Sequence, residues 1–318
     1  MDRRRFLAGA AALPFVLRSG RALAGGTPVA LVTADTESRV VAVRLPDGKV
    51  LRSIPTLPGP RSIELAGRGG LAVVCHTAVA AVTLVDAARL SVEHVLRDFA
   101  EPRYTAAHPD GRHAYVTDSA ASEVVAVDLA RGGTLGRARV GGWARHISLD
   151  PSGTVLWVGL GTATQRLAVV DVADRARPRL LRHVVPPWGA HDVGWLPSGR
   201  GVWVTSGDRG AMAVFDLGGR PRVHLAAGAP PQHVSFGRGV AYVASGDDGT
   251  LTVHDLRTGR VLRRTRVPVG SYNVQHEGSY VLTPSLAKGT LCVLDEGGRV
   301  VRERHVAASS HDACLAAV

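Results

Sequence analysis

From Val29 onward the chain alternates apolar and polar positions in short runs, and Gly, Pro, Asp or Ser interrupts each run. A period of two marks strands with one face buried, and the interruptions mark turns. One stretch shows the unit. "HISL" from His146 is followed by the turn Asp150-Pro151-Ser152-Gly153, then "VLWVG", a small-residue loop, "RLAVVDV", a polar turn and "RLLRHVV". That is four strands in succession. After the first two dozen residues no stretch with a 3.6-residue period is long enough to predict a helix. The unit also recurs: "AYVTDSAASEVVAVDLARGG" from Ala114, "GVWVTSGDRGAMAVFDLGGR" from Gly201 and "AYVASGDDGTLTVHDLRTGR" from Ala241 repeat one pattern.

The strand that ends in Asp sets the period. It closes at Asp86, Asp128, Asp171, Asp216, Asp255 and Asp295, and an earlier copy closes at Arg44, so the steps are 42, 42, 43, 45, 39 and 40 residues. Seven copies of four strands predict an all-β, seven-bladed β-propeller. The first copy, "VALVTADTESRVVAVRLPDGKVLRSI", supplies only the second, third and fourth strands. The C-terminal "HDACLAAV", from His311, matches a first strand. The last strand of the chain is therefore expected to complete the first blade. That pairing removes an exposed sheet edge and makes residues 25–318 one closed ring.

The second strands "AYVTD", "VWVTS" and "AYVAS" are close to a Y-V-T-N signature. The turns "HPDGR", "DPSGT" and "LPSGR" resemble a P-D-G turn, and "AVDLARGG" and "VHDLRTG" a V-I-D-x-x-T-G run. On these motifs the chain resembles the YVTN-type propeller repeats, most strongly in the third, fifth and sixth copies and least in the second. WD-type repeats fit less well, because no copy has Trp before the strand-ending Asp. The resemblance implies the fold. Exported proteins without assigned function share it, and more distant propellers include lactonases, streptogramin-type lyases and the copper domain of nitrous oxide reductase. Architecture spread so widely assigns no activity.

The N-terminus changes the picture of where the protein works. Residues 1–24 read "MDRRRFLAGAAALPFVLRSGRALA", an Arg cluster, a modest apolar run and a small-residue cleavage site at Ala22-Leu23-Ala24. Arg3-Arg4-Arg5-Phe6-Leu7 resembles the twin-arginine export motif. The apolar run is too short to span a bilayer, and no later run is predicted to cross one. The expectation is a secreted or periplasmic, monomeric product starting near Gly25. The leader's five Arg and one Asp account for +4 of the +11 formal charge. The remaining excess is scattered Arg without a basic block, so nucleic acid is not an expected partner, whereas an anionic partner is. Cys75, Cys292 and Cys314 are odd in number and lack C-x-x-C spacing, so they are expected to be small buried side chains.

Aligning the copies where each first strand begins gives "PRSI", "PRYT", "ARHI", "AHDV", "PQHV", "YNVQ" and "SHDA". The second column is polar throughout: Arg61, Arg103, Arg145, His191, Gln232, Asn273 and His311. In a propeller this position is expected to ring the channel mouth. Three consecutive arginines suit a carboxylate or phosphate, because each guanidinium can bind one bidentately. Tyr104, Trp143, Trp188 and Tyr272 are expected aromatic walls, and the third column adds His146, Asp192, His233 and Asp312. A structural reading stands beside this one, in which the same residues cap loops and pair with neighbouring blades.

The leading expectation is a non-enzymatic scaffold that takes an anionic small molecule or an acidic protein segment. The alternative is a lyase or lactone hydrolase at the rim, using His191 or His311 as a base. His276 beside Glu277 offers another imidazole next to a carboxylate. His76, His146, His191, His233 and His311 are candidate ligands for copper or zinc, or for a divalent ion such as magnesium at the same rim. No cofactor is otherwise expected.

Overall fold

Each of the seven copies forms one four-stranded antiparallel sheet in the computed structural model, which describes residues 26–67, 70–161, 163–227 and 229–317. The fold is the expected all-β, seven-bladed propeller. Blade two shows the order from the axis outward: Pro60–Ala66, Leu71–His76, Ala81–Asp86 and Ser91–Leu96. Blade one is assembled from both ends of the chain. Its inner strand, Ala313–Ala317, pairs antiparallel with Pro28–Ala34, with Leu31 opposite Cys314 and Val29 opposite Ala316. The expected closure is therefore present. The export motif and cleavage site lie outside the described residues. Among the described residues the single helical turn is a 3₁₀ turn at Thr77–Val79, and no helix is long and apolar enough to cross a membrane.

The repeated residues hold the turns. Asp86 Oδ1 accepts from the N–H groups of Ala88 (2.9 Å) and Arg89 (2.8 Å). Asp128 does the same for Ala130 and Arg131. Asp171, Asp216, Asp255 and Asp295 each accept a backbone N–H within the same turn. A side-chain acceptor that mimics a backbone turn is what Asp supplies best. In blade one Arg44 stands where the other copies have Asp, and the function moves three residues on. Asp47 accepts from the Lys49 N–H at 3.1 Å and from the Arg44 guanidinium.

The Thr of the second strand holds the mouth. Thr33, Thr117 and Thr205 accept from the N–H of Asp312, Tyr104 and Asp192 at 2.9, 3.1 and 3.0 Å. Thr283 donates to the Asn273 carbonyl at 2.7 Å. In all seven blades the third and fourth strands slip register once, by a bulge near the end of the third strand. Such bulges increase local twist, and here one recurs in every blade.

The core lies between neighbouring blades. Tyr115, Val124 and Ala126 of blade three pack on Leu156, Ala168 and Val170 of blade four. Ala30, Val32 and Leu315 of blade one pack on Leu282 and Leu291 of blade seven. All three cysteines are free and buried, as expected. The outer strands, such as Val261–Arg266, face solvent.

Candidate functional site

The inner strands run from the mouth into the channel, so the second-column residues stand at the rim and the third-column residues one step below. Arg61, Arg103 and Arg145 lead into blades two, three and four. They converge on one space. Arg145 is held below the usual guanidinium range by burial, with Arg103 and Arg61 adding like charge. Among the described residues neither Arg61 nor Arg145 makes a salt bridge, while Arg103 bonds Glu101 at 2.6 Å. The Nε atoms of all three arginines are buried without a partner.

Trp143 forms the wall. The Arg103 and Arg145 guanidinium carbons lie 4.3 and 5.0 Å from its ring centre, within cation–π range. Its indole N–H donates to Glu101 at 3.1 Å. Glu101 is thus pinned by Arg103 and Trp143, and these bonds hold its carboxyl below the usual range although burial opposes them.

Next to the arginines are imidazoles. His191 and His311 are both pushed down to about 3, first by burial and then by the positive rim, Arg145 and Arg61 foremost. His191 Nδ1 lies 3.2 Å from the Gln232 carbonyl, so it carries the proton and leaves Nε2 bare. His146 and His233, one step below, are held well under the ordinary range by burial and by the other imidazoles. Their Nε2 atoms are 3.0 Å apart. Tyr104 stacks on His146 with ring centres 3.9 Å apart. Its phenol is raised by burial and feels Arg61 and Arg145 as well as Asp312 and Asp192. Tyr104, His146 and His233 therefore stand one step below the arginines, in company with an acidic tier.

That tier consists of Glu64, Asp192 and Asp312, each raised by burial to about 7. Their oxygens clamp adjacent blades together. Asp192 accepts from Val234 N–H at 2.9 Å, Asp312 from Ile63 N–H at 3.1 Å and Glu64 from Ala107 N–H at 3.1 Å. A cavity of about 200 Å³ lies at this level, lined by Tyr104, His146, Asp192, His233, Asn273 and Asp312 among others. The arginines stand outside it, at its lip.

The structure thus brings together Arg61, Arg103, Arg145, Tyr104, Trp143, His146, His191, His233 and His311. It places the other candidates elsewhere. Gln232 locks a loop, its Oε1 accepting from Gly246 N–H at 2.8 Å. Asn273 reaches the cavity, but its amide donates to the His311 carbonyl at 2.7 Å. Tyr272 donates to Asp247 at 2.8 Å. Trp188 is buried in the core cluster with Trp157, Trp195 and Phe215. His76 sits at the end of a second strand with Nδ1 3.1 Å from the Pro58 carbonyl. His276 stacks on Tyr242 at 5.3 Å, away from the rim.

Two contacts escaped the sequence. Asp192 has its carboxylate not on its neighbour His191 but 3.5 Å from Nδ1 of the next blade's imidazole, His233. Glu64 stands three positions after the mouth column, where the other copies carry Ala106, Ser148, Gly194, Ser235, His276 and Cys314. An acid in an otherwise small or neutral column was the available signal.

No family model matches the chain, and no curated protein matches it. Solved structures do. The chain is similar to Kuenenia stuttgartiensis hydrazine synthase, with a TM-score of 0.68 at 17% identity over 80% of this chain and 89% of that one. It is also similar to the dihydro-heme d1 dehydrogenase NirN in complex with DHE, with a TM-score of 0.67 at 16% identity over 93% of this chain and 76% of that one. At such identity the likeness establishes the propeller fold and nothing finer.

Proposed function

We propose that the protein is an exported binding scaffold of the YVTN type that takes a small anion at the mouth of its channel. One observation carries this reading: three guanidinia from consecutive blades crowd one half-buried rim, two of them, among the described residues, without a carboxylate within salt-bridge distance. Like charges collected at this electrostatic cost are accounted for by an anionic ligand that neutralises them. Trp143 and Tyr104 give the site its apolar walls. That a similar propeller, NirN, is in complex with DHE supports ligand binding by analogy of fold.

The lyase or hydrolase reading has weaker support. A general base works best with a pKa near the working pH, and His191 and His311 are pushed down to about 3. They are neutral at pH 7 but poor proton acceptors.

The anion reading is tested by calorimetric titration with inorganic phosphate and with succinate. Binding of either by the wild type, weakened at least tenfold when Arg61, Arg103 and Arg145 are all changed to Gln, supports it. Equal binding by a folded triple variant places the site elsewhere. Export rests on Arg3, Arg4, Phe6 and Leu7 and on Ala22-Leu23-Ala24. Changing Arg3 and Arg4 to Lys should trap the precursor inside the cell, as cell fractionation would show. Normal secretion of that variant means another route.

A further inference from the structure

The imidazole cluster has a property that anion binding at the rim does not use. His146, His191 and His233 come from three successive blades, and one ligand nitrogen from each lies within 4.8 Å of the others. One of them has its tautomer set from behind, and a second faces a carboxylate. The Gln232 carbonyl takes the Nδ1 proton of His191, and the Asp192 carboxylate faces Nδ1 of His233. The bond to Gln232 leaves the His191 Nε2 bare, while the His233 Nε2 meets the His146 Nε2 at 3.0 Å. A carbonyl or carboxylate behind each imidazole is the outer shell that metal-bound histidines have.

We propose that His146, His191 and His233 bind one divalent ion of the zinc–copper class through their side-chain nitrogens. The donor set selects that class. Three imidazoles suit zinc or copper, whereas magnesium and calcium require oxygen ligands. The three cysteines are buried elsewhere in the blades, so thiolate does not compete. With bonds of about 2.0–2.1 Å in a tetrahedral shell, ligand nitrogens stand roughly 3.3 Å apart. The His146–His233 pair is already near that spacing at 3.0 Å. His191 closes by no more than about 1.5 Å from its outer limit, on the same spacing rule. Three protein ligands leave a further position open, and the cavity gives water and ion access to His146 and His233.

One imidazole nitrogen is left unsatisfied. His146 and His233 share one N–H···N bond, which leaves the His146 Nδ1 buried without a partner. When an ion takes Nε2, the His146 proton belongs on Nδ1. The proton is relocated within the ring and none need be lost. The proposal does not depend on the arginines binding an anion.

The test uses chelator-stripped mature protein, titrated calorimetrically with zinc chloride and, separately, with copper chloride. The expected result is one ion per chain for at least one of the two. The affinity should fall at least 100-fold in His146→Gln and in His233→Gln, and should survive in His311→Gln and in the Arg61→Gln/Arg145→Gln double variant. Loss in His311→Gln, with His146→Gln and His233→Gln unaffected, would overturn the assignment. So would stoichiometric binding retained by both histidine variants, or wild-type protein that binds neither ion. Because a histidine variant can misfold, cobalt substitution of the wild type gives a second readout. Tetrahedral cobalt yields intense visible bands, and three imidazole resonances should shift together. Cobalt spectra identical to those of the free ion contradict the site.

Discussion

The turn after each third strand and the lead into each first strand recur equally often in this ring, yet they are built in opposite ways. At the outer turn six copies use Asp, and each Asp accepts a backbone N–H two to four residues further on in its own turn. Where Arg44 breaks the rule, Asp47 restores the acceptor three residues later. At the mouth the seven positions carry Arg, Arg, Arg, His, Gln, Asn and His. Gln232 and Asn273 bond loops and strands, whereas the three Arg and the two His crowd one charged space. Residues that repeat hold the ring together, because each blade poses the same hydrogen-bonding problem. Residues that depart from the repeat at the mouth break the sevenfold pattern, and a ligand needs such an asymmetric surface.

Removing residues 313–318 strips blade one of its inner strand, exposing Leu31 and Ala30 and leaving the edge of Pro28–Ala34 unpaired. A loss on the order of 5 kcal/mol or more is expected from the burial and hydrogen bonds removed. The melting midpoint should fall by about 10 °C or more, or the transition should lose its cooperativity. An unchanged circular-dichroism melt refutes the closure.

A smaller effect sharpens the account of the acidic tier. Glu64→Gln keeps the acceptor for Ala107 N–H but removes a carboxyl whose folded pKa is raised to about 7. A raised folded value means the group's contribution is present below its unfolded pKa of about 4.5 and is lost as pH climbs through 7. Asp312, raised partly by Glu64, changes in the same direction. The variant should therefore gain on the wild type by a few degrees between pH 4.5 and pH 8. A difference independent of pH argues against a protonated Glu64. The smallest effect belongs to the turns: Asp128→Ala removes two exposed turn bonds and should cost about 1 kcal/mol, or one to three degrees.

The fold was legible because its signals are local and repeated. Strand alternation, the spacing of Asp86 to Asp295 and the orphan first strand at the C-terminus each follow from hydrogen-bonding needs met within one blade or by one pairing. The rim was legible as a column: Arg61, Arg103, Arg145, His191 and His311 do meet. Contacts between blades were not. Asp192 faces His233 across a blade boundary 41 residues away in sequence, and no local pattern encodes which neighbour a third-column carboxylate will face. Trp188 and Tyr272 were expected at the wall because they stand near the mouth column. The side chain of Trp188 is directed into the inter-blade core and Tyr272 to Asp247, choices made by packing that spacing alone does not specify.

The most direct test of the division between holding and binding uses Trp143, which is 40% exposed and stacked against two of the arginines. Inorganic phosphate is titrated into wild type, Asp128→Ala and Arg61→Gln/Arg145→Gln while tryptophan emission is followed. Wild type and Asp128→Ala should show the same saturable change, although Asp128→Ala melts slightly lower. The arginine variant should melt no lower than the wild type and show no saturable change. An arginine variant that titrates like the wild type contradicts the claim that the departures from the repeat form the binding site.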